Sequence, residues 1–141
     1  MGEEARSELS FEDWALTVPE TIVKGPVWQS WSYRKALYLH EMAWADCQQL
    51  WGVPLGRSLA DQLLRSVGSI SANIEEGYGR GIAHKEYDQF LRYSLGSARE
   101  AQGWYYRSRH LLPDSVVDKR MQLANEVIAL LSSTINRRRT S

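Results

Sequence analysis

Cysteine is nearly missing from this chain. Cys47 stands alone, which excludes an internal disulfide and points to a reducing compartment. Long apolar runs are missing too. No stretch approaches the roughly 18 residues that would span a bilayer, so no membrane partner is expected. The opening residues, M-G-E-E-A-R-S-E, lack the hydrophobic core of a secretory leader, and the expected location is the cytoplasm. Net charge is absent as well: 17 basic residues balance 17 acidic ones. A neutral chain has no global excess of cations to neutralise phosphates, so any nucleic-acid surface must come from local clustering.

Catalytic signatures are also lacking. There is no G-x-S-x-G, no Walker loop and no pair of catalytic carboxylates. The three histidines, His40, His84 and His110, sit on different segments. His40-Glu41 has no second histidine four residues on, so the H-E-x-x-H zinc pattern is not completed. Glu41 and Glu100 are followed three residues later by Trp44 and Gly103, which rules out the Glu-x-x-His pairs of a di-metal bundle. Neither metal nor cofactor is expected, and the chain is expected not to be an enzyme.

Proline is scarce, and its positions are informative. Pro19, Pro26, Pro54 and Pro113 all fall outside the segments with helical periodicity, as they should, because an interior proline costs a helix about 3 kcal/mol. Between them lie four such segments. The first runs from Val27 or Ser30 to Trp51, with Leu37, Trp44 and Trp51 repeating every seven residues beside Ala36, Ala43, Cys47 and Leu50. The second starts at Ser58, where Ser58 and Asp61 have the spacing of a capping box. Leu59, Leu63, Val67, Ile70 and Ile74 then mark one helix face. Gly77, Gly79 and Gly81 are expected to end it. The third spans His84 to His110 with a seam of Tyr87, Leu91, Ser94, Ala98, Ala101 and Tyr105. The fourth follows Asp114 or Ser115, again with capping spacing to Asp118. Its face is Val117, Met121, Ala124, Ile128, Leu131 and Ile135.

These patterns predict an all-α protein. Residues 26–141 form an antiparallel up-down-up-down four-helix bundle, and residues 1–25 form an extended N-terminal arm. The arm is acidic, with six carboxylates against Arg6 and Lys24. It is also apolar enough, through Phe11, Trp14, Leu16, Val18, Ile22 and Val23, to pack on the body or on a neighbour.

Several residues are candidates for a function. Lys85, Arg92 and Arg99 recur every seven residues. With Arg65, Arg80, Arg107, Arg109 and the terminal Arg137, Arg138 and Arg139, they are candidates for a phosphate-tracking surface. The 85–99 stripe alone is about 20 Å long at 1.5 Å per residue; the alternative is an ordinary solvated face. Asn73 and Glu76, close to the apolar Ile74, are expected to tie the second helix to a neighbour. Gly96 and Gly103 each cost about 1 kcal/mol in a helix interior, which close approach of another helix, in this chain or a second copy, would offset.

Ser69-Ile70-Ser71-Ala72-Asn73-Ile74-Glu75-Glu76-Gly77, followed by Gly79-Arg80, resembles the S-I-P-A-N-I-A-E-G-x-G-R segment of the four-helix bundle proteins encoded in 23S ribosomal RNA intervening sequences. Leu95-Gly96-Ser97-Ala98-Arg99-Glu100 matches that family's L-G-S-x-x-E. Ser71 stands where the family usually has proline. The resemblance marks Ser69, Asn73, Glu76, Gly77, Gly79, Gly96, Ser97 and Glu100 as motif positions. It implies a bundle assembled as a homopentamer, without known enzymatic activity. A related group, the accessory variability proteins of diversity-generating retroelements, assists a reverse transcriptase and binds nucleic acid. The expectation is therefore an oligomeric accessory factor associated with RNA, DNA or a reverse transcriptase. The alternative is a protein-interaction scaffold that recruits its partner through the N-terminal arm.

Overall fold

The computed structural model describes residues 9–140. Among them there are six α-helices and no strand. Two helices are short, α1 (Phe11–Ala15) and α2 (Glu20–Val23). Four are long: α3 (Trp31–Trp51), α4 (Gly56–Arg80), α5 (Lys85–Arg107) and α6 (Asp114–Thr140). A 3₁₀ turn, Pro26–Gln29, precedes α3, and another, Ser108–His110, follows α5.

The long helices are packed by their apolar stripes. Leu39, Leu50, Leu63, Ile70, Ile74, Leu91 and Leu131 are essentially solvent-free, each contributing about 1.5–3 kcal/mol by burial. The stripes expected on α4 and α5 are the buried ones. On α5 all six seam residues, Tyr87 to Tyr105, are inside. On α3 the stripe is displaced. Trp44 and Trp51 of the expected heptad are 48 % and 55 % exposed, while Ala36, Leu39, Ala43 and Leu50 are fully buried. The 37–44–51 repeat lies beside the core, because alanines and leucines one position away let the neighbouring helices approach more closely than indoles would.

Side-chain contacts tie the long helices to one another. Tyr33 near the start of α3 donates to Glu75 near the end of α4. The Cys47 thiol, late in α3, faces the Ala60 carbonyl, early in α4. Ser94 of α5 donates to the Ile70 carbonyl of α4 at 2.8 Å. Gln102, late in α5, donates to the Met121 carbonyl and to Asn125, early in α6. Lys35 of α3 pairs with Glu126 of α6 at 3.0 Å.

Helix ends follow local chemistry, with two departures from the sequence expectation. Ser30 caps α3 by accepting from the Tyr33 N–H. Helix α4 instead begins at Gly56, before the Ser58–Asp61 box, and has no side-chain cap. Gly56 is buried on the α3 terminus, where a Cβ would collide with the Leu50 carbonyl; this close seat sets the start. Gly77 and Gly79 do not end α4 but lie inside it. Only Gly81, at φ 93°, takes the left-handed conformation that stops it. At α6, Asp114 is already helical, so Ser115 sits within the first turn rather than at its cap.

The N-terminal arm is not extended over its described part, and residues 1–8 lie outside the described residues. Ser10 accepts from the Asp13 N–H and caps α1; Pro19 stands at the cap of α2. The arm folds onto α3 because its aromatics have partners there. Trp14 is buried against Trp28 and Tyr38, and Phe11 meets Tyr38 edge-on at 5.6 Å. The Tyr38 hydroxyl donates to the Leu9 carbonyl.

Candidate nucleic-acid interface

The cations named from sequence separate into two sets. The first set is tied down locally. Arg65 pairs with Asp61, and Arg80 with Glu76, each one helical turn away. Arg107 lies over the Trp104 ring at 4.7 Å, and Arg109 over Tyr106 at 4.1 Å. Arg137 donates to the Thr134 hydroxyl. None of these side chains lines the groove formed by the second set.

The second set does converge. Arg92 and Arg99 of α5 face Arg139 of α6 across a groove of about 510 Å³, floored by Leu95, Gly96 and Ile135. The groove continues toward the start of α5, where Lys85, Asp88 and Arg138 join Arg92 and Arg139 on its wall. Five cations thus share one concave surface with one carboxylate, Asp88. That carboxylate is engaged: Arg138 meets it through Nε at 2.5 Å and Nη2 at 3.3 Å, with its guanidinium 4.5 Å from the Tyr87 ring. The Arg138 hydrogen bond, then its charge, hold the Asp88 pKa below the ordinary carboxylate value. This clamp fastens the end of α6 to the start of α5 and so positions Arg139. Among the described residues, Arg92, Arg99 and Arg139 form no ion pair. The seven-residue repeat on α5 revealed half of this surface. The C-terminal arginines supplied the other half only once α6 lay beside it.

The motif positions are mostly structural. Asn73 and Glu76 do not bridge helices as expected. Asn73 donates to the Ser69 carbonyl at 2.8 Å, and Glu76 pairs with Arg80, both one turn away within α4. The interhelical bond belongs to Glu75, which accepts from Tyr33 at 2.6 Å. Ser69 donates to the Arg65 carbonyl, and Glu100 accepts from the Trp104 indole; Ser97 is half-buried on α5. Gly77 is a close-approach site: a Cβ there would lie 2.9 Å from the Tyr87 ring and 3.1 Å from Phe90 Cβ. Gly79 faces open space. So does Gly96, with no atom within 4 Å of a Cβ built there. Among the described residues no helix therefore packs on Gly96, against one of the two expectations for it. Gly103 meets only the Arg107 side chain.

Sequence reasoning missed the polar cluster at the centre. Asp46 accepts from Tyr105 and from Arg120, all three buried. Its signal was present: Asp46 stands three residues after Ala43 and four before Leu50, and Arg120 three after Val117 and four before Ala124. Charges at core spacing require each other. Among the described residues no group of His, Cys, Asp and Glu is placed to hold a metal. Nor is any helix long and apolar enough to cross a membrane.

No curated protein and no solved structure matches this chain. A family model does. The one described as 23S rRNA-intervening sequence protein matches residues 33–133, a span that includes the S-I-S-A-N-I-E-E-G segment, the L-G-S motif at Gly96 and both partners of the Asp46–Arg120 pair. With most of the chain inside that match, and with the helical bundle it leads one to expect, the protein belongs to the 23S rRNA-intervening sequence protein family.

Proposed function

We propose that this chain is a non-enzymatic, up-down-up-down bundle that holds RNA by its phosphates in the groove between α5 and α6. The observation that carries the reading is the convergence of Lys85, Arg92, Arg99, Arg138 and Arg139 on one concave surface. Binding of this kind draws its affinity from counterion release and follows shape more than sequence. The family's printed name, which refers to ribosomal RNA, agrees with an RNA partner. A role beside a reverse transcriptase is the variant of this reading that the retroelement resemblance suggests.

The test is binding of a structured RNA across a salt series. With about four phosphates engaged, log K falls against log salt with a slope of about −3 to −4. An Arg92→Glu/Arg99→Glu double variant removes most of the affinity and flattens that slope. Affinity unchanged in this variant, or absent at low salt, rejects the reading.

Assembly into a homo-oligomer, a pentamer by resemblance, has an available surface. Trp44, Trp51 and Leu55 are 48 %, 55 % and 82 % exposed on the α3–α4 side, more apolar surface than single scattered residues would give. Sedimentation of wild type against Trp44→Glu/Trp51→Glu reads this directly. The competing scaffold reading rests on the arm, whose Phe11 and Trp14 are engaged with α3. Deleting residues 1–25 and finding co-purified partners retained would dismiss it.

A further inference from the structure

The groove between α5 and α6 is lined by more than cations. Ser132 and Asn136 of α6 also border its central part, across from Arg92 and Arg99. They are four residues apart, so they share one face of the helix. Asp88 meets Arg138, and Gln102 meets Asn125. That pairing sets Ser132 level with Leu95, between Arg92 and Arg99.

Ser132 differs from other hydroxyls of the long helices. Ser66, Ser69, Ser94 and Thr134 each donate to a backbone carbonyl. Ser132 is half-buried, yet no hydrogen bond engages its hydroxyl among the described residues. No buried side-chain oxygen there lacks a partner, so the Ser132 oxygen is open to the groove that it lines. Asn136 is exposed, and its side-chain amide is unbonded as well.

The two walls therefore offer different chemistry. A guanidinium carries donors and no acceptor. Arg92, Arg99 and Arg139 can hold phosphate oxygens, but they cannot accept a hydrogen bond. A serine hydroxyl and an asparagine amide both donate and accept. Among the described side chains lining this central part, Ser132 and Asn136 alone do so. Arg92 and Arg99 lie about 10 Å apart along α5, more than one phosphate covers. A strand held by both lays sugar over the floor of Leu95, Gly96 and Ile135. That floor is apolar and suits the carbon face of a ribose. The ribose 2′-hydroxyl is both donor and acceptor, and it distinguishes RNA from DNA. Resting on the phosphate-binding reading of this groove, we infer that it selects RNA over DNA, with Ser132 and Asn136 as the residues that pair with a ribose 2′-hydroxyl. DNA would cover the Ser132 oxygen and leave it without a partner, which weakens binding.

The experiment uses one hairpin sequence in three forms, RNA, 2′-fluoro RNA and DNA, each titrated into the full chain at low salt. The fluorinated hairpin keeps the A-form shape and the phosphates but has no 2′ proton to donate, which separates the hydroxyl from helix shape. RNA binds about tenfold more tightly than either of the other two. Ser132→Ala/Asn136→Ala lowers the RNA affinity to that of the fluorinated hairpin. The affinity for the fluorinated hairpin and the salt slope stay as in wild type, because neither residue is charged. Alanine is a strong helix former, so the far-ultraviolet spectrum is unchanged. Arg92→Glu/Arg99→Glu, in contrast, weakens all three hairpins together. Equal binding of RNA and 2′-fluoro RNA by wild type, or a preference that survives in the double alanine variant, overturns this inference and leaves phosphate binding standing. Binding of none of the three hairpins overturns the groove reading and this inference with it.

Discussion

Arg120 of α6 and Asp46 of α3, 74 residues apart in sequence, meet as a two-pronged ion pair in the core. Arg120 Nε donates to Asp46 Oδ2 at 2.7 Å and Nη2 to Oδ1 at 3.2 Å. Tyr105 of α5, wholly buried, donates its hydroxyl to the same Oδ2 at 2.7 Å. One carboxylate thereby fixes the mutual register of three helices. Burial opposes the guanidinium charge, but the hydrogen bond and charge of Asp46 outweigh it, and the Arg120 pKa is raised.

Removing one partner should cost far more than removing both. Asp46→Ala strands a buried guanidinium, and a loss of about 3–5 kcal/mol is expected. Tyr105→Phe deletes one hydrogen bond to a charged group, at about 1.5–3 kcal/mol. The double replacement Asp46→Leu/Arg120→Met restores an apolar core and should be milder than Asp46→Ala. Urea denaturation of the four proteins gives the comparison. A double variant less stable than Asp46→Ala would refute this account of the cluster.

The sequence made some of this legible and hid the rest for definable reasons. On α4 and α5 the apolar residues differ sharply from their neighbours, so steps of three and four identified Leu63, Ile70, Leu91 and Tyr105 as core. On α3 the strongest heptad was aromatic, and size was mistaken for burial: Trp44 and Trp51 face outward, and Ala36 and Ala43 pack inward. The Ser58–Asp61 box was outcompeted by the seat of Gly56 on Leu50, a tertiary contact that no local pattern encodes. Half of the basic groove was visible as the Lys85–Arg92–Arg99 repeat. Its other wall required knowing that α6 runs alongside α5 with Arg138 clamped to Asp88. The arm shows no helical pattern in sequence because Phe11–Ala15 and Glu20–Val23 are each too short to establish a period.

Cys47 should be chemically inert in the folded protein. Burial, then the neighbouring Asp46, pushes its thiol up to about 12 from 9.0. The reactive species is the thiolate, so its alkylation near pH 8 should be slower than that of an ordinary thiol by on the order of a thousandfold. Iodoacetamide labelling followed by mass spectrometry, with and without denaturant, measures the ratio. The thiol lines a surface cleft with Trp44 and Trp51, so rapid labelling of the native chain would mean that it ionises far more readily there than its burial implies.

Mild acid should weaken the fold through His40. The side chain is held neutral, with its folded pKa below the ordinary 6.5. Below 6.5 the unfolded chain takes up a proton that the folded chain resists, so stability falls as pH falls. The contribution is whole above 6.5 and is gone once pH has passed through the depressed folded value. Melting temperatures of wild type and His40→Gln between pH 8 and pH 5 provide the check. The variant's curve should be flatter over that interval, and parallel curves would exclude His40 as the cause.

Two helical glycines should respond oppositely to the same added methyl group. At Gly77 a Cβ would sit 2.9 Å from the Tyr87 ring and 3.1 Å from Phe90 Cβ. The collision is with packed groups, so Gly77→Ala should destabilise by about 1–3 kcal/mol. At Gly96 a Cβ meets nothing within 4 Å, and alanine is the better helix former by about 1 kcal/mol. Gly96→Ala should therefore stabilise the isolated fold. Yet Gly96 floors the groove between Arg92, Arg99 and Arg139, where the added methyl reduces the depth open to a bound phosphate chain. The decisive measurement pairs thermal denaturation with RNA affinity for this one variant. A gain in stability accompanied by weaker RNA binding supports the groove as the site. A gain in stability with full RNA affinity would mean that the groove floor never touches the nucleic acid.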